Sequence, residues 1–487
     1  MTRRIQFLGV CSILAFGLLL GATSFWQVVR GEELREHPLN TRRIVRDFNS
    51  DRGSIETIDG VLLADSQVVR HPQFKRVRRY AHPELYAHIT GYFSFALGAS
   101  GVERVYHDEL VGRTFQQRLR SLRDLLAGSE PSVGNLVLTL RDSLQRAAAS
   151  ALGTRRGSVV LLDPRDGAIL AMWSTPSYDP NDLSSLDLER AARNKRTLDE
   201  SPDKPLLART YQERFFPGST FKIVTAAAGL QMGILPDATF PVTTSYTPPL
   251  TDKPIRNFGG SACGGDFYRA LARSCNTAFA RLAVEVGPEA MIREAREFGF
   301  GDAIPIDLPD PAVSVFPTDF TRDTPRLAQA GIGQNDVQAT PLHMALVASA
   351  VATGGEMPVP HVLARVVDSR GDTVLAARKR VWRRPLSDEE AAVLQTGMER
   401  VVSEGTATAL AIPGLRVGAK TGTAQLGTNP PSQHAWVIGY AAREGEPPSV
   451  AFAVLVEGTP GSASEQTGGR VAAPIAKALL EIAFGVR

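Results

Sequence analysis

Cysteine is scarce in this chain of 487 residues, and it occurs three times, as Cys11, Cys263 and Cys275. No two of them form a CxxC pair, which excludes the common zinc-binding patterns. Cys11 lies in an apolar run and is expected to be inert. Cys263 and Cys275 would pair only in an oxidising compartment, and their spacing alone does not show that their Cα atoms approach. Two free thiols are therefore slightly favoured, and a disulfide stays open.

A strong net charge is also missing. The formal net charge is only +3, so nucleic acid is not a predicted partner. Arginine supplies most of the positive charge, because lysine occurs at only eight positions: Lys75, Lys195, Lys204, Lys222, Lys253, Lys379, Lys420 and Lys477. Each lysine that stands near a hydroxyl residue is therefore a candidate for chemistry that needs an amine.

The first long feature that is present is an uncharged run from Ile5 to Val29, which suffices to span a bilayer as a helix. Arg3 and Arg4 precede it, so the positive-inside rule predicts a cytoplasmic N-terminus and an extracytoplasmic remainder. Trp26 stands where an interfacial aromatic residue is expected. A cleaved signal peptide is the alternative, but the run is long for that role. We predict an uncleaved, single-pass anchor in the cell membrane.

Composition and periodicity divide the rest of the chain. Residues 1–30 hold the anchor, residues 31–154 form a polar, arginine-rich α+β module with a helix around Phe115–Leu126, and residues 155–487 form the main domain. In that domain, strands are predicted in a hairpin over 158–173 and again at 416–425, 435–441 and 449–456, with a last helix over 473–484. Helix starts are predicted after Gly218, at Thr340-Pro341 and at Ser387. The fold class is α+β, with a helical subdomain inserted between the strands of a sheet.

Ser219 and Lys222 stand three positions apart in FFPGSTFKIV, where a turn leads into an apolar helix. If the helix begins at Ser219, the two side chains share one face. A serine hydroxyl becomes a nucleophile when a base removes its proton, and a lysine is such a base when burial lowers its pKa. By itself, however, the tetrapeptide is common, and a helix cap is the expected role of a serine there.

Two other segments carry suitable chemistry. Ser274 and Asn276 are two apart, so they reach one site only if the segment is a turn with a helix resuming near Thr277. In GAKTGTAQ, a predicted strand presents Lys420, Thr421, Gly422 and Thr423, which suit a carboxylate. A glycine inside a strand often marks the close approach of another backbone.

The combination of S-x-x-K, S-x-N and K-T-G in this order resembles penicillin-binding proteins and serine β-lactamases. Nearly the whole chain is similar to class B penicillin-binding proteins, the membrane-anchored D,D-transpeptidases. The likeness includes LLDPRDGAILAMWSTPSYDP, the GIGQ segment that leads to Thr340-Pro341, and DRGSI in the N-terminal module. The resemblance implies a transpeptidase domain with an antiparallel five-stranded sheet flanked by helices and an all-helical subdomain. It also implies that residues 31–154 are a pedestal or dimerisation-like module.

The resemblance also implies roles for the motif residues. Ser219 would attack the D-Ala-D-Ala bond of a peptidoglycan stem peptide, and an amine of a second stem peptide would accept the acyl group. Lys222 would be the base, Ser274 would relay a proton, and Asn276 would orient Lys222. The carboxylate would bind to Lys420, Thr421, Gly422 and Thr423. β-Lactams would trap the serine, and neither an organic cofactor nor a metal is expected.

Three alternatives stay open from the motifs. A serine β-lactamase would need a base for a deacylating water, but no Glu-x-x-Leu-Asn segment lies between Asn276 and Lys420. A D,D-carboxypeptidase differs only in using water as the acceptor. A sensor would need a cytoplasmic signalling region. A scaffold would not need all three motifs intact.

The region before Gly157 is too short for a glycosyltransferase domain, so a membrane glycosyltransferase partner is expected. A role in division or in elongation is not distinguished.

Overall fold

The computed structural model describes residues 2–25, 48–114, 117, 133–321, 323–461 and 466–486. Trp26 lies outside these residues, and so does the helix predicted around Phe115–Leu126, apart from Gln117. Two compact units divide the chain. The smaller comprises residues up to Asp51 together with Gln67–Val77, and the larger comprises Arg52–Ser66 together with the chain from Arg78 onward.

The smaller unit begins with one helix, Thr2–Ser24. Its segment Gln6–Ser24 has a mean hydropathy of 2.0 over the most apolar window and is long enough to cross a membrane. The helix contains much of the uncharged run that the sequence shows, so an N-terminal apolar helix that could serve as an anchor is present. In the same unit, the Phe48 and Phe74 rings pack edge to face with their centroids 5.1 Å apart.

The larger unit contains both helices and strands. Its α-helices are Pro83–Thr90, Gly101–Val105, His107–Leu110, Asp142–Leu152, Pro180–Leu183, Leu188–Glu200, Lys222–Gln231, Phe267–Ala272, Asn276–Val286, Pro288–Glu297, Thr324–Ala330, Pro341–Ala352, Asp388–Ser403 and Ala473–Phe484. Shorter helical turns are Gly218–Phe221, Phe258–Gly260, Thr408–Leu410 and Gly468–Ala472. The strands are Ile55–Thr57, Leu62–Val68, Arg76–Tyr80, Phe93–Ser94, Gly98–Ala99, Asn135–Leu138, Gly157–Leu162, Ile169–Thr175, Thr239–Thr243, Ser245–Tyr246, Ile255–Arg256, Cys263–Asp266, Met357–Pro358, Leu363–Val367, Thr373–Ala376, Val381–Arg383, Leu415–Gln425, Gln433–Arg443 and Val450–Val456. Residues 67–68 and 76–77 of the second and third of these strands belong to the smaller unit.

Five of these strands form the central sheet, which is antiparallel throughout. In spatial order they are Leu415–Gln425, Gln433–Arg443, Val450–Val456, Gly157–Leu162 and Ile169–Thr175. The sequence predicted a strand at each of these places, and for the hairpin the signal was two apolar runs on either side of a four-residue turn. The first two strands pair over eleven residues without a register shift, which holds Lys420 opposite Ile438 at the sheet edge.

Helices cover the central sheet, and their starts follow the sequence signals. Thr340 caps the helix Pro341–Ala352 by accepting a hydrogen bond from the backbone N–H of His343, and every residue of this helix is buried. The predicted capping box is present, since Ser387 and Glu390 exchange side-chain-to-backbone hydrogen bonds. The helical segments between Pro180 and Ser403 lie in the sequence after the strand Ile169–Thr175 and before the strand Leu415–Gln425, as predicted.

A second sheet has six strands, in the order Thr373–Ala376, Leu363–Val367, Asn135–Leu138, Ile55–Thr57, Leu62–Val68 and Arg76–Tyr80. It therefore combines strands from both sides of residue 154. Beneath it, the carboxylate of Glu103 is buried between two arginines, accepting from Arg52 Nε and Arg78 Nε at 2.6 Å each. The boundary at residue 154 stays a prediction.

Candidate active site

Ser219 lies in a single 3₁₀ turn, Gly218–Phe221, and the α-helix begins only at Lys222. The prediction that the helix starts at Ser219 was therefore wrong by three residues. The expected cap is absent as well, because neither helical segment has a side-chain cap hydrogen bond. Within the described part of the chain, the Ser219 hydroxyl has no hydrogen-bond partner, so it is available to a ligand.

Contacts with distant segments produce this turn. Gly218 adopts φ +53°, a left-handed conformation that suits glycine, and its N–H donates to Gly333 O at 2.9 Å. A Cβ on Gly218 would lie 2.9 Å from Thr423 O, and one on Gly422 would lie 2.8 Å from Pro217 O. The turn that carries Ser219 thus rests directly on the K-T-G strand. The close approach predicted from Gly422 is confirmed.

Lys222 is completely buried one turn after Ser219. Its Nζ donates to Ser274 O and Asn276 Oδ1 at 2.8 Å each and lies 3.3 Å from Ser274 Oγ. Burial holds the pKa of Lys222 well below its ordinary value, and the charge of Lys420 lowers it further. Both effects favour the neutral amine, which is the form that accepts a proton.

Ser274 sits in the turn between the helices Phe267–Ala272 and Asn276–Val286, with φ +58°. The positive φ turns the chain sharply enough for the Ser274 hydroxyl and the Asn276 amide to face the same amine. Asn276 also donates from Nδ2 to Arg256 O at 2.9 Å, which fixes the orientation of its amide. The predicted turn, with a helix resuming beside Thr277, is confirmed.

Lys420 reaches the same serine from the central sheet. Its Nζ donates to Ser274 Oγ at 2.7 Å and to Thr421 O at 3.0 Å. It is fully buried, and burial lowers its pKa to about 7. One hydroxyl therefore joins the lysines of the first and third motifs, and burial favours the neutral form of both amines.

The remaining predicted residues, Thr421, Gly422 and Thr423, continue along the strand Leu415–Gln425, beside the Ser219 turn. The hydroxyl of Thr421 lies 2.6 Å from that of Thr406, which follows the helix Asp388–Ser403. Thr406 was not predicted, because it belongs to none of the three motifs. The packing of the helix Asp388–Ser403 on the strand Leu415–Gln425, which places Thr406 beside Thr421, is not a local feature of the sequence.

Cys263 and Cys275 form a disulfide with their Cα atoms 5.4 Å apart, so the slightly favoured prediction of two free thiols was wrong. Cys275 lies between Ser274 and Asn276, while Cys263 begins a strand that pairs with Thr239–Thr243. This pairing places Cys263 against the turn, a contact that sequence spacing does not reveal. The bond ties the S-x-N segment to the neighbouring hairpin.

Among the described residues, no group of three or more histidine, cysteine, aspartate or glutamate side chains could hold a metal ion. The chemistry that the site offers is that of hydroxyls, amines and an amide. A free hydroxyl at Ser219, a buried amine at Lys222 and a strand edge at Thr423 suit acyl transfer through a covalent intermediate.

Two family profiles match the chain. The penicillin binding protein transpeptidase domain matches residues 157–481, and the penicillin binding protein A dimerisation domain matches residues 52–136. The chain is 37% identical over 484 residues to the peptidoglycan D,D-transpeptidase PbpA of Mycolicibacterium smegmatis, with 96% of each chain covered. It is 35% identical to PbpA of Mycobacterium tuberculosis, again with 96% of each chain covered.

Solved structures give the same result. The ceftriaxone acyl-enzyme complex of penicillin-binding protein A from M. tuberculosis has a TM-score of 0.82 and 34% identity, covering 90% of this chain and 99% of that one. The penicillin G acyl-enzyme complex of that protein has a TM-score of 0.80 and 33% identity, covering 89% and 100%.

Proposed function

Because this chain belongs to the penicillin-binding protein transpeptidases, we propose that Ser219 is the nucleophile through which it acts. The chain is a serine-type peptidoglycan D,D-transpeptidase that binds β-lactams. The observation that carries the assignment of Ser219 is its free hydroxyl, held on the K-T-G strand one turn from the buried amine of Lys222.

In the proposed first step, neutral Lys222 removes the proton from Ser219 as Oγ attacks the carbonyl carbon between the two D-alanines. Hydrogen bonds donated by Lys222 to Ser274 O and Asn276 Oδ1 fix two directions of the amine. The lone pair is left for the attacking hydroxyl. The backbone N–H groups of Ser219 and Thr423 stabilise the charge that develops on the carbonyl oxygen.

The carbon–nitrogen bond then breaks, and the departing amine of D-alanine needs a proton. The Ser274 hydroxyl supplies it, because that hydroxyl lies within reach of both Lys222 and Lys420. The amine of a second stem peptide attacks the acyl-enzyme, restores the Ser219 hydroxyl and leaves the two stem peptides cross-linked. Lys420, Thr421, Gly422 and Thr423 form the site for the terminal carboxylate of the donor.

The surroundings of the enzyme are also part of the proposal. The helix Thr2–Ser24 anchors the protein in the cell membrane with its N-terminus in the cytoplasm and the catalytic domain outside. Residues 31–154 act as a pedestal or dimerisation-like module, and residues 155–487 are the transpeptidase domain. A membrane glycosyltransferase supplies the glycan strands, during either division or elongation.

The experiment is to treat the full-length protein in detergent with penicillin G and to locate the added mass by peptide mass spectrometry. The adduct is expected on the peptide that contains Ser219, and Ser219→Ala is expected to carry none. Ser261→Ala, which alters an exposed serine, serves as the matched control and should label normally. An adduct on another residue, or labelling that persists in Ser219→Ala, would overturn the assignment.

A further inference from the structure

A groove of about 510 Å³ lies beside the six-stranded sheet, and none of its lining residues belongs to the site described above. Its apolar wall includes Val359, Pro360 and Leu363, all of them buried. The strand Thr373–Ala376 forms its rim, and the chain continues along the groove to Arg378 and Arg380. The groove thus combines an apolar wall, a length of backbone and two guanidinium groups.

Among the described residues, the backbone at this rim is a free sheet edge. The strand Thr373–Ala376 is the last in the sheet order and pairs with Leu363–Val367 on one side only. Hydrogen-bonding groups alternate along an antiparallel strand. The N–H of Ala377 donates to Ala364 O at 2.9 Å, so the N–H and C=O of Ala376 face the opposite, unpaired side. A further strand could pair there.

The two guanidinium groups at the end of the groove belong to exposed side chains, Arg378 and Arg380. In the part of the chain that the structure describes, no carboxylate oxygen lies within 4.0 Å of the guanidinium nitrogens of Arg378 or Arg380, although basic side chains nearby in the sequence are paired. Lys379, for example, donates to Glu356 at 2.8 Å. Arg378 and Arg380, two residues apart on the groove, therefore have no carboxylate partner among the described residues.

Asp307 lines the groove but is already engaged. One carboxylate oxygen accepts from the Val362 N–H at 2.7 Å. The other accepts from the Leu363 N–H at 2.9 Å and from the Tyr106 hydroxyl at 2.6 Å. These three donors hold Asp307 at the wall, directed away from any ion pair with Arg378 or Arg380, so both arginines are open to an acidic ligand.

We propose that this groove binds an extended acidic segment of another protein. The segment adds a strand to the free edge at Thr373–Ala376, places an apolar side chain against Val359 and Leu363, and directs carboxylates to Arg378 and Arg380. Strand addition supplies affinity through main-chain hydrogen bonds, and side-chain pockets supply specificity. A small anion would use only the arginines and would leave the edge and the half-exposed Leu375 without a partner.

The test uses the full-length protein in detergent and a fluorescein-labelled, end-blocked hexapeptide of alternating glutamate and valine, with binding followed by fluorescence anisotropy at 0.15 M NaCl. We expect saturable binding, and about tenfold weaker binding for each of Arg378→Gln and Arg380→Gln. Arg193→Gln and Arg196→Gln, made singly, each remove one positive charge from an exposed helix and should leave the affinity unchanged. Penicillin acylation of every variant reports on folding.

Four further measurements separate the proposal from its rivals. A peptide of the same composition with N-methylated backbone amides, and a peptide with glutamine in place of glutamate, should both lose binding. If the N-methylated peptide binds equally well, the groove is a simple anion site. The same conclusion follows if inorganic polyphosphate competes in a way that depends only on Arg378 and Arg380. If the protein dimerises in sedimentation equilibrium and Arg378→Gln abolishes the dimer, the occupant of the groove is a second copy of this chain. Either result overturns the proposal.

Discussion

Lys222 and Lys420 meet at one hydroxyl, that of Ser274, although 198 positions separate the two lysines in the sequence. The Nζ atoms lie 3.3 and 2.7 Å from the Ser274 oxygen. Two ammonium groups that contact one hydroxyl repel each other, and neither lysine has a carboxylate within 4.0 Å among the described residues. The arrangement therefore favours the loss of a proton from at least one amine, and several predictions about activity and stability depend on it.

Replacing Lys222 with alanine removes the proposed base. The rate constant for acylation by penicillin should fall about 100- to 10,000-fold, the usual contribution of general base catalysis. Stopped-flow or gel-based measurement with a fluorescent penicillin checks this, and thermal melting reports on the fold. Lys253→Ala changes an exposed lysine and should acylate at the normal rate. A near-normal rate in Lys222→Ala would show that another group is the base.

The pKa of Lys420, lowered by burial to about 7 from the usual 10.5, predicts a pH dependence of stability. Between these values the amine is neutral in the folded protein and protonated in the unfolded chain. The unfolded state then binds more protons, so stability rises with pH, by at most about 1.4 kcal/mol per pH unit. Urea unfolding at pH 7, 8 and 9 should show a steeper rise for the native protein than for Lys420→Met. Parallel curves would contradict the shifted pKa.

The disulfide between Cys263 and Cys275 predicts an effect of reduction on both stability and acylation. Changing both cysteines to serine should destabilise the fold by about 3 kcal/mol, because the bond closes a short loop of 12 residues. Acylation should also slow, since Ser274 and Asn276 flank Cys275. Cys11→Ser is the control for the loss of a thiol and should alter neither property. Unchanged urea midpoints and rates in the double variant would show that the turn holds its shape without the bond.

The contact between Thr406 and Thr421 predicts a role for a residue outside the three motifs. Thr406→Val leaves the Thr421 hydroxyl without its partner at 2.6 Å. A hydrogen bond of this kind contributes about 1 kcal/mol, so the second-order acylation constant should fall about fivefold. Thr406→Ser keeps a hydroxyl at this position and should restore most of the rate. If the valine variant acylates as fast as the native protein, the contact has no part in positioning Thr421.

Local signals predicted a large part of this molecule. The hairpin from Gly157 to Thr175, the cap at Thr340 and the capping box at Ser387 depend on neighbouring residues, and the structure has each of them where the sequence indicates. The last helix, Ala473–Phe484, has the predicted bounds. These features form where the spacing of the hydrophobic residues and the capping residues indicate the same element.

The features that the sequence did not reveal depend on distant contacts. The 3₁₀ turn at Ser219 follows from the approach of Gly333 and Thr423, so a helix start judged from neighbouring residues is placed too early. The disulfide requires the strand that begins at Cys263 to lie against the turn at Cys275. Neither contact leaves a periodic pattern in the sequence.

The six-stranded sheet has a consequence for exchanging parts between related enzymes. Its order places Leu363–Val367 directly beside Asn135–Leu138, so the hairpin ending at Ala376 completes a layer that begins before residue 60. A chimera joined at residue 154 would bring together two halves of one sheet that had not evolved as neighbours. A graft that carries the hairpin along with the N-terminal strands preserves the pairing, and we expect it to fold where the simple exchange does not.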